Sequence, residues 1–259
     1  MSGPGPGDFT SSAAYYDRYR PSYPAAFYRH LAERYGGRER LVELGCGTGR
    51  VILGVAEHFD SALGVEPNDA MRAFAEERAN ELGLDSCSFV GVAAEEAELG
   101  EQSVDLCLAC QAFHWMDRDV VLERVHAALK PGGAFIVADP GSGHPLEIEP
   151  LREVMVGYAG KGRRPGGRDF GDEMELHQTV IERSAFGAPQ RVVIEGDPRV
   201  YDADEMIGLL YSTSYCSPEV IGDRREEFER DVRAAFAEAA GGRETLSARQ
   251  DTVLLVCKV

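Results

Sequence analysis

The segment LVELGCGTGR, residues 41–50, constrains the fold more than any other part of the chain. Its apolar run is typical of a buried parallel strand. Three glycines follow at alternate positions, and the helical pattern VILGVAEHF comes directly after them. Glycine adopts the backbone angles of tight turns and lets a ligand approach the main chain closely. A strand, a glycine turn and a helix N-terminus therefore predict a nucleotide-type binding site.

The spacing of the glycines indicates which ligand this site prefers. The dinucleotide fingerprint needs Gly-x-Gly-x-x-Gly, whose third glycine packs the helix against the strand. Here the glycines are Gly45, Gly47 and Gly49, and Arg50 stands where the third glycine would be. Glu43 precedes the turn, where its charge opposes a pyrophosphate and suits an ammonium group. The pattern favours S-adenosylmethionine (SAM) over NAD and disfavours a Rossmann oxidoreductase.

The segment ELGCGTG, residues 43–49, resembles motif I of the class I SAM-dependent methyltransferases. Three further segments match that family in the same order: GVEPNDAM (64–71), AEEAELGEQSVDLCLACQAFHWMD (94–117) and LKPGGAFIVAD (129–139). Two phrases, YDRYRPSYP (16–24) and FHWMDR (113–118), resemble a small-molecule branch of methyltransferase type 11 proteins similar to trans-aconitate methyltransferase. The resemblance is strong over about residues 15–140 and weak after that.

The resemblance implies a cofactor side of the site. The acid and the turn backbone would hold the methionine part of SAM, through Glu43, Gly45, Cys46, Gly47, Thr48 and Gly49. Glu66 ends the second predicted strand, where a carboxylate can accept two hydrogen bonds from ribose hydroxyls. Pro67, directly after Glu66, is a further candidate for the cofactor side. Met71 either packs on adenine or belongs to the core. Position 93 is Ala where many relatives have an acid, so the Ala94 N–H and Glu95 are expected to contact adenine instead.

An acceptor side is implied after the fourth predicted strand, at the edge where open α/β sheets bind ligands. Gln111 is expected nearest the transferred methyl group, with the catalytic candidates His114 and Trp115 between cofactor and substrate. His114 is either a general base or an orienting group. Trp115 either contacts the substrate through its indole N–H or anchors the following helix.

Aromatic residues elsewhere are further candidates. Tyr16, Tyr19 and Arg20 lie in a segment expected to cross the site opening, where aromatic faces attract a sulfonium. Ordinary packing against the sheet is the alternative. Tyr211 and Tyr215 resemble a substrate-side segment of the same branch.

Composition excludes several classes of function. A net charge of −17 disfavours nucleic acid as substrate. The basic segment 161–168 is either a solvated loop or a lid. No apolar run is long enough to span a membrane.

Cys107 and Cys110 fall in one predicted strand, where their side chains point opposite ways, and no second ligand pair follows. The cysteines are therefore expected to be free thiols in the cytoplasm, without a metal site.

Strands alternate with helices up to about residue 139, which predicts a parallel sheet with helices on both faces. The resemblance implies a doubly wound, Rossmann-like sheet of seven strands, mostly parallel with the last antiparallel. The expected organisation is a disordered leader (1–14) and one methyltransferase domain (15–259), with a helical cap at about 140–185. A sixth strand is expected at 191–200, with a possible break at Gly-Asp-Pro.

The function these features imply is methyl transfer from SAM to an O or N atom of a small-molecule metabolite, a carboxylate being one option. On giving up its methyl group, SAM would become S-adenosylhomocysteine (SAH). The alternative is a non-catalytic SAM-binding sensor or scaffold. The expected assembly is a monomer or a homodimer.

Overall fold

The computed structural model describes residues 13–159 and 175–259, so the first twelve residues and the basic segment 161–168 lie outside the description. The described residues form two compact units. We call residues 23–141, 175–195 and 252–259 the sheet unit, and residues 13–22, 142–159 and 196–251 the helical unit. Among the described residues, no helix combines the length and apolar character needed to cross a membrane.

The strands, in chain order, are β1 Arg38–Leu44, β2 Phe59–Val65, β3 Cys87–Val90, β4 Val104–Cys110, β5 Leu129–Pro140, β6 Gln190–Ile194, β7 Pro198–Tyr201, β8 Leu246–Arg249 and β9 Thr252–Lys258. The α-helices are α1 Ala13–Tyr19, α2 Ala25–Tyr35, α3 Ile52–Val55, α4 Asp69–Leu82, α5 Arg118–Ala128, α6 Glu149–Tyr158, α7 His177–Glu182, α8 Ala203–Tyr211, α9 Pro218–Ile221 and α10 Arg225–Ala239.

The sheet unit contains one seven-stranded sheet in the order β3-β2-β1-β4-β5-β9-β6. Strands β1 to β5 pair in parallel, and β9 runs antiparallel to both β5 and β6. The predicted fold class is therefore confirmed. The strand order reverses direction between β1 and β4, and open α/β sheets bind ligands outside the carboxyl ends of their strands at such a point.

Two apolar layers cover the faces of this sheet. Alternate residues of a strand point to opposite faces, so Leu106 and Leu108 enter one layer and Cys107 and Ala109 the other. Cys110 joins the Leu106 layer, which confirms that Cys107 and Cys110 face opposite ways. All six cysteines are free thiols.

Three predicted elements are shorter or divided in the structure. The helical pattern after the glycine turn predicts one helix at about 49–59, but the structure has only α3 and a 3-10 turn, Ala56–His58. The strand expected at 191–200 divides into β6 of the large sheet and β7, which pairs with β8 in the helical unit. The break lies at Gly196, whose N–H donates to Asp251 and where a Cβ would lie 1.9 Å from the Gln250 carbonyl oxygen. The segment SPEVIGDRREEFERDVRAAFAEAA (217–240) has the pattern of one helix, but the structure divides it at Gly222, whose φ of 54° is unsuited to a helix.

The helical unit has its own core, built on α8 and α10. The segment DADEMIGLLY (202–211) has the pattern of a helix with an acidic start, and it forms α8, where Asp202 and Glu205 make a capping box. Tyr211 and Phe228 are fully buried in this core, with ring centroids 5.3 Å apart. Helix α1 packs on α8 so closely that a Cβ on Gly208 would lie 2.5 Å from the Tyr19 ring.

Candidate functional site

The glycine turn after β1 has two packed positions and one open position. Gly45, Gly47 and Gly49 have φ values of 66°, 55° and 77°, which favour glycine at all three. A Cβ on Gly45 would lie 2.5 Å from the Ala112 Cβ, and one on Gly49 would lie 2.9 Å from the Leu53 Cδ1. A Cβ on Gly47 would meet no described atom within 4 Å beyond its chain neighbours. The middle of the turn thus leaves space for a ligand to contact the backbone.

Glu43 lies beneath this turn with only 2% of its surface exposed. Its Oε2 accepts a 2.8 Å hydrogen bond from the Ile52 N–H at the start of α3, and the Cys110 side chain also hydrogen-bonds the carboxyl. Burial raises the pKa of Glu43 to about 8. Glu43 therefore ties the strand to the helix across the turn, a role that the sequence did not reveal. Its contact with a ligand ammonium stays a prediction.

Glu66 joins the same turn from the end of β2. Its Oε2 accepts from the Gly47 N–H at 3.0 Å, and its Oε1 accepts from the Asn68 N–H at 2.8 Å. Burial raises the pKa of this carboxyl. A carboxylate has about four acceptor positions, so two hydrogen bonds leave capacity for two ligand hydroxyls. Glu66 is placed beside the open Gly47, as its predicted role requires.

Further residues predicted for the cofactor side lie next to these two acids. Thr48 is 1% exposed, and its hydroxyl finds no hydrogen-bond partner among the described residues. A buried polar group without a partner costs about 1–3 kcal/mol, which a polar ligand atom would recover. Cys46 and Met71 are buried, and Pro67 is exposed. The Asn68 side chain accepts a hydrogen bond from the Met71 N–H at 3.0 Å and so caps α4.

Ala94 and Glu95 form part of a 3-10 turn, Ala94–Glu96, after β3. Ala94 is buried. The Glu95 carboxylate accepts a hydrogen bond from the Asp117 N–H, immediately before α5. This contact engages Glu95 in positioning α5, and the adenine contacts of both residues stay predictions.

Gln111 turns the chain sharply at the carboxyl end of β4. Its φ is 53°, the left-handed region that non-glycine residues rarely occupy, at a cost on the order of 1–3 kcal/mol. The Gln111 N–H donates to the Ala138 carbonyl at 2.8 Å, and its side-chain amide donates to the Tyr23 hydroxyl at 3.4 Å. The strained backbone directs the following residues along the edge of the sheet.

Those residues form a 3-10 turn, Phe113–Trp115, that presents His114 and Trp115. Their ring centroids lie 5.4 Å apart, and both side chains are partly exposed. The His114 ring also stacks on His177, with centroids 6.2 Å apart and planes 18° from parallel. The two catalytic candidates are therefore placed at the carboxyl edge beside a third residue, His177, that sequence reasoning missed.

Asp139, near the end of β5, also belongs to this cluster. Its Oδ2 lies 3.3 Å from the His177 Nε2, and the His177 Nδ1 lies 3.3 Å from the Arg118 Nη1. Ligand atoms of His114, Asp139 and His177 all lie within 4.8 Å of one another. Burial raises the pKa of Asp139 to about 6. Burial lowers the pKa of His177 to about 4, and the charge of Arg118 lowers it further by a smaller amount.

Sequence reasoning had a signal for Asp139 but none for His177. Asp139 ends the segment LKPGGAFIVAD, which resembles the methyltransferase family, and lies at the same edge of the sheet as Glu66. His177 begins the short helix α7, inside a stretch where no motif was recognisable.

The remaining candidates lie in the helical unit. The Arg20 guanidinium lies 5.2 Å from the Tyr16 ring centroid, and Tyr19 packs against Gly208. Tyr211 is buried, and its hydroxyl donates to Glu229 at 2.9 Å. Tyr215 packs partly buried on the same core. The ligand roles of these residues stay predictions.

Comparison with known proteins relates part of this chain to methyltransferases. A methyltransferase domain matches residues 42–137. An uncharacterized methyltransferase of Mycobacterium tuberculosis is 29% identical over 233 residues, covering 88% of this chain and 85% of that protein. Trans-aconitate 2-methyltransferase of Variovorax paradoxus is 30% identical over 150 residues, covering 57% and 54%.

Other matches are shorter or more distant. The probable S-adenosylmethionine-dependent methyltransferase CRG1 of Saccharomyces cerevisiae is 32% identical over 126 residues, and the match covers 48% of this chain and 43% of that protein. Among solved structures, the cyclase SpnF superposes with a TM-score of 0.57 at 18% identity, covering 99% of this chain and 98% of that one. Such a likeness speaks for the fold alone. The domain match and the related sequences show that the chain contains a methyltransferase domain at residues 42–137, within the seven-stranded fold.

Proposed function

We propose that the protein transfers the methyl group of SAM to an oxygen or nitrogen atom of a small-molecule metabolite. The observation that carries this proposal is the glycine turn, whose open Gly47 lies beside the partly satisfied carboxylate of Glu66. SAM supplies a methyl group already activated by its sulfonium. The chain's own residues therefore bind, align and exclude water.

The turn fits the polar ends of SAM. Glu66 has acceptor capacity for the two ribose hydroxyls, and the Thr48 hydroxyl offers a buried polar contact. An ionised Glu43 would attract the ammonium group of the amino-acid end. Charge-assisted hydrogen bonds of this kind contribute about 1.5–3 kcal/mol each.

The acceptor would lie along the carboxyl edge of β4, beside Gln111, His114 and Trp115. Holding the attacking atom, methyl carbon and sulfur in line lowers a barrier by about 7–11 kcal/mol. The name of the Variovorax relative makes a carboxylate one candidate acceptor class.

We further propose that the enzyme works in the cytoplasm, as a monomer or homodimer, without a metal. Its thiols are free, and its net charge of −17 suits metabolites better than nucleic acid. The Ala94 backbone, Glu95 and Met71 are proposed to surround the adenine. Tyr16, Tyr19 and Arg20 are proposed for the cofactor side, and Tyr211 and Tyr215 for the substrate side.

Two measurements test the function. Isothermal titration should show SAM and SAH binding in the micromolar range and no binding of NAD or NADH. Incubation with methyl-tritiated SAM and a small-molecule extract should transfer label to a metabolite. SAH binding without any labelled product would instead favour a non-catalytic SAM-binding protein, and binding of NAD alone would refute the cofactor assignment.

A further inference from the structure

A chain of three side chains lies at the edge of the sheet beside His114. Arg118 at the start of α5 contacts His177 of α7, and His177 contacts Asp139 of β5. The Arg118 and His177 side chains are 15% and 12% exposed, and that of Asp139 is 27% exposed. The chain thus runs from a shielded guanidinium to a carboxylate that a substrate can reach.

The proton positions in this chain follow from chemistry. Arginine is a donor with no acceptor atom, so the His177 Nδ1, 3.3 Å from the Arg118 Nη1, must accept. A neutral imidazole then carries its proton on Nε2, which faces the Asp139 Oδ2 at 3.3 Å. The lowered pKa of His177, about 4, agrees with a neutral ring. Arg118 therefore fixes the tautomer, and His177 orients the carboxylate.

This arrangement argues against the cluster as a metal site, although its ligand atoms are near enough to consider one. Binding an ion through the His177 Nε2 would require the proton on Nδ1. That proton would then point at the Arg118 donor, whereas metal-bound histidines donate their second N–H to an acceptor. The contacts suit proton transfer better than metal binding.

Asp139 has the surroundings of a proton acceptor. The groups that face it are His177 from α7, His114 from the 3-10 turn and Cys110 from β4, and its register partner on β9 is Val253. Burial raises the pKa of Asp139 to about 6, so the group is ionised at neutral pH and still moderately basic. The adjacent Ala138 accepts the Gln111 N–H, which brings Asp139 beside the proposed methyl-transfer position.

We propose that Asp139 is the catalytic base that removes the proton of a hydroxyl group on the methyl acceptor, with His177 and Arg118 as its positioning residues. This inference rests on the proposed methyl transfer. The hydroxyl oxygen forms a bond to the methyl carbon as the bond from that carbon to sulfur breaks and leaves its electron pair on sulfur. The hydroxyl proton moves to an Asp139 oxygen and later to solvent.

A hydroxyl is the acceptor class that makes use of such a base. A carboxylate is already ionised at neutral pH and needs no base, and its charge would repel the charge of Asp139 in a poorly hydrated site. A hydroxyl oxygen attacks well only as its proton leaves. The inferred products are methyl ethers rather than methyl esters.

Labelled product chemistry distinguishes these classes. Methyl-tritiated SAM is incubated with the enzyme and a small-molecule extract of its native host, together with a defined panel of alcohols, phenols and carboxylic acids. Mild alkali releases volatile tritiated methanol from esters and leaves ethers intact. Alkali-stable label on oxygen is expected. Alkali-labile or nitrogen-bound label would overturn the inference while supporting the proposed function, and no label at all would count against both.

Variants then test the residues on the product found. Asp139→Asn should lower kcat by about 100-fold or more and abolish the rise of rate through pH about 6. Its SAH affinity should match that of the wild type, which shows an intact fold. Asp60→Asn, an exposed acid of β2, is the matched control and should keep full activity.

Two substitutions of His177 separate positioning from packing. Glutamine offers both an acceptor for Arg118 and a donor for Asp139, so His177→Gln should keep most of the rate. His177→Ala should lose about tenfold and shift the pH profile. Unchanged pH profiles in Asp139→Asn, or equal losses in both His177 variants, would overturn the proposal. So would activity that EDTA abolishes and Zn²⁺ or Mn²⁺ restores, with ion binding lost in His177→Ala.

Discussion

The glycine turn after β1 and the cluster at the ends of β4 and β5 lie on the same sheet but are built differently. The turn is shaped by backbone conformation, with three left-handed glycines and backbone N–H groups donating to Glu43 and Glu66. The cluster is shaped by side chains from three separate segments, which bring His114, Asp139 and His177 together. The first kind of site suits a constant cofactor, and the second can change with the acceptor.

Replacing Gly45 should destabilise the glycine turn after β1, and this is the largest effect we expect. Alanine at φ 66° costs about 1–2 kcal/mol in backbone strain. The overlap of its Cβ with Ala112, at 2.5 Å, adds about 1–3 kcal/mol. We expect Gly45→Ala to lower the free energy of unfolding by about 2–5 kcal/mol, as measured by urea denaturation.

Gly83 provides the matched control for this substitution. It has the same φ of 66° at the C-cap of α4, but no described atom beyond its chain neighbours lies within 4 Å of its Cβ position. Gly83→Ala should therefore lower the free energy of unfolding by the backbone strain alone, about 1–2 kcal/mol. Equal losses at both positions would show that close packing between the turn and Ala112 is unimportant.

Removing the Glu66 carboxylate tests the division between cofactor and acceptor sides. Glu66→Ala should weaken SAM binding by at least about 1.5 kcal/mol, roughly tenfold in Kd, because the ribose hydroxyls lose their acceptor. Isothermal titration measures this loss. Glu77→Ala, an exposed acid on α4, should bind SAM normally. Unchanged affinity in Glu66→Ala would remove the ribose assignment.

Trp115→Ala, in contrast to Glu66→Ala, should reduce turnover and leave cofactor affinity unchanged. The indole lies beside His114, on the side proposed for the acceptor, so its loss should misplace the substrate and reduce turnover by about tenfold. SAH affinity, measured by titration, should stay within twofold of the wild type. Parallel losses of SAM binding and turnover would contradict the assignment of Trp115 to the substrate.

The smallest expected effect concerns the pH dependence of stability. The pKa of Glu43 is about 8 in the folded protein and 4.5 in the unfolded reference, so the folded state holds an extra proton between these values. Its contribution to stability is present at pH 4.5 and below and is lost as pH rises through about 8. Glutamine keeps an acceptor for the Ile52 N–H and does not titrate.

Wild-type protein should therefore lose at least about 1 kcal/mol more than Glu43→Gln between pH 5 and pH 8, in urea unfolding measured without ligand. Acids distant from position 43 titrate equally in both proteins, so the difference reports this carboxyl together with its coupling to Glu66. Identical pH slopes would show that Glu43 is already ionised in the folded state.

The two regions also differ in how far the sequence predicted them. Gly45, Gly47, Gly49 and Glu66 were found because they follow local rules: a turn that needs positive φ, and an acid at the end of a strand. The sheet followed from the regular alternation of strands and helices. Where a single residue changed the chain direction, as at Gly196 and Gly222, the predicted elements proved too long.

The contacts of Glu43 with Ile52 and of Asp139 with His177 were not predicted. Both depend on where side chains from distant segments meet, which hydrophobic periodicity does not report. His177 lies 38 positions after Asp139, and its contact with that residue arises only because α7 returns to the edge of β5. Arg118 then determines the histidine tautomer from a third element.

The position of Cys46 in the glycine turn bears on self-modification. A thiolate is a strong nucleophile, and an alkylating cofactor held at this turn would offer it a methyl group. Burial, with added repulsion from Glu43 and Glu66, raises the pKa of the Cys46 thiol well above its usual range. The sulfur is thereby kept protonated, so a methylating cofactor bound at this turn would meet a thiol rather than the more nucleophilic thiolate.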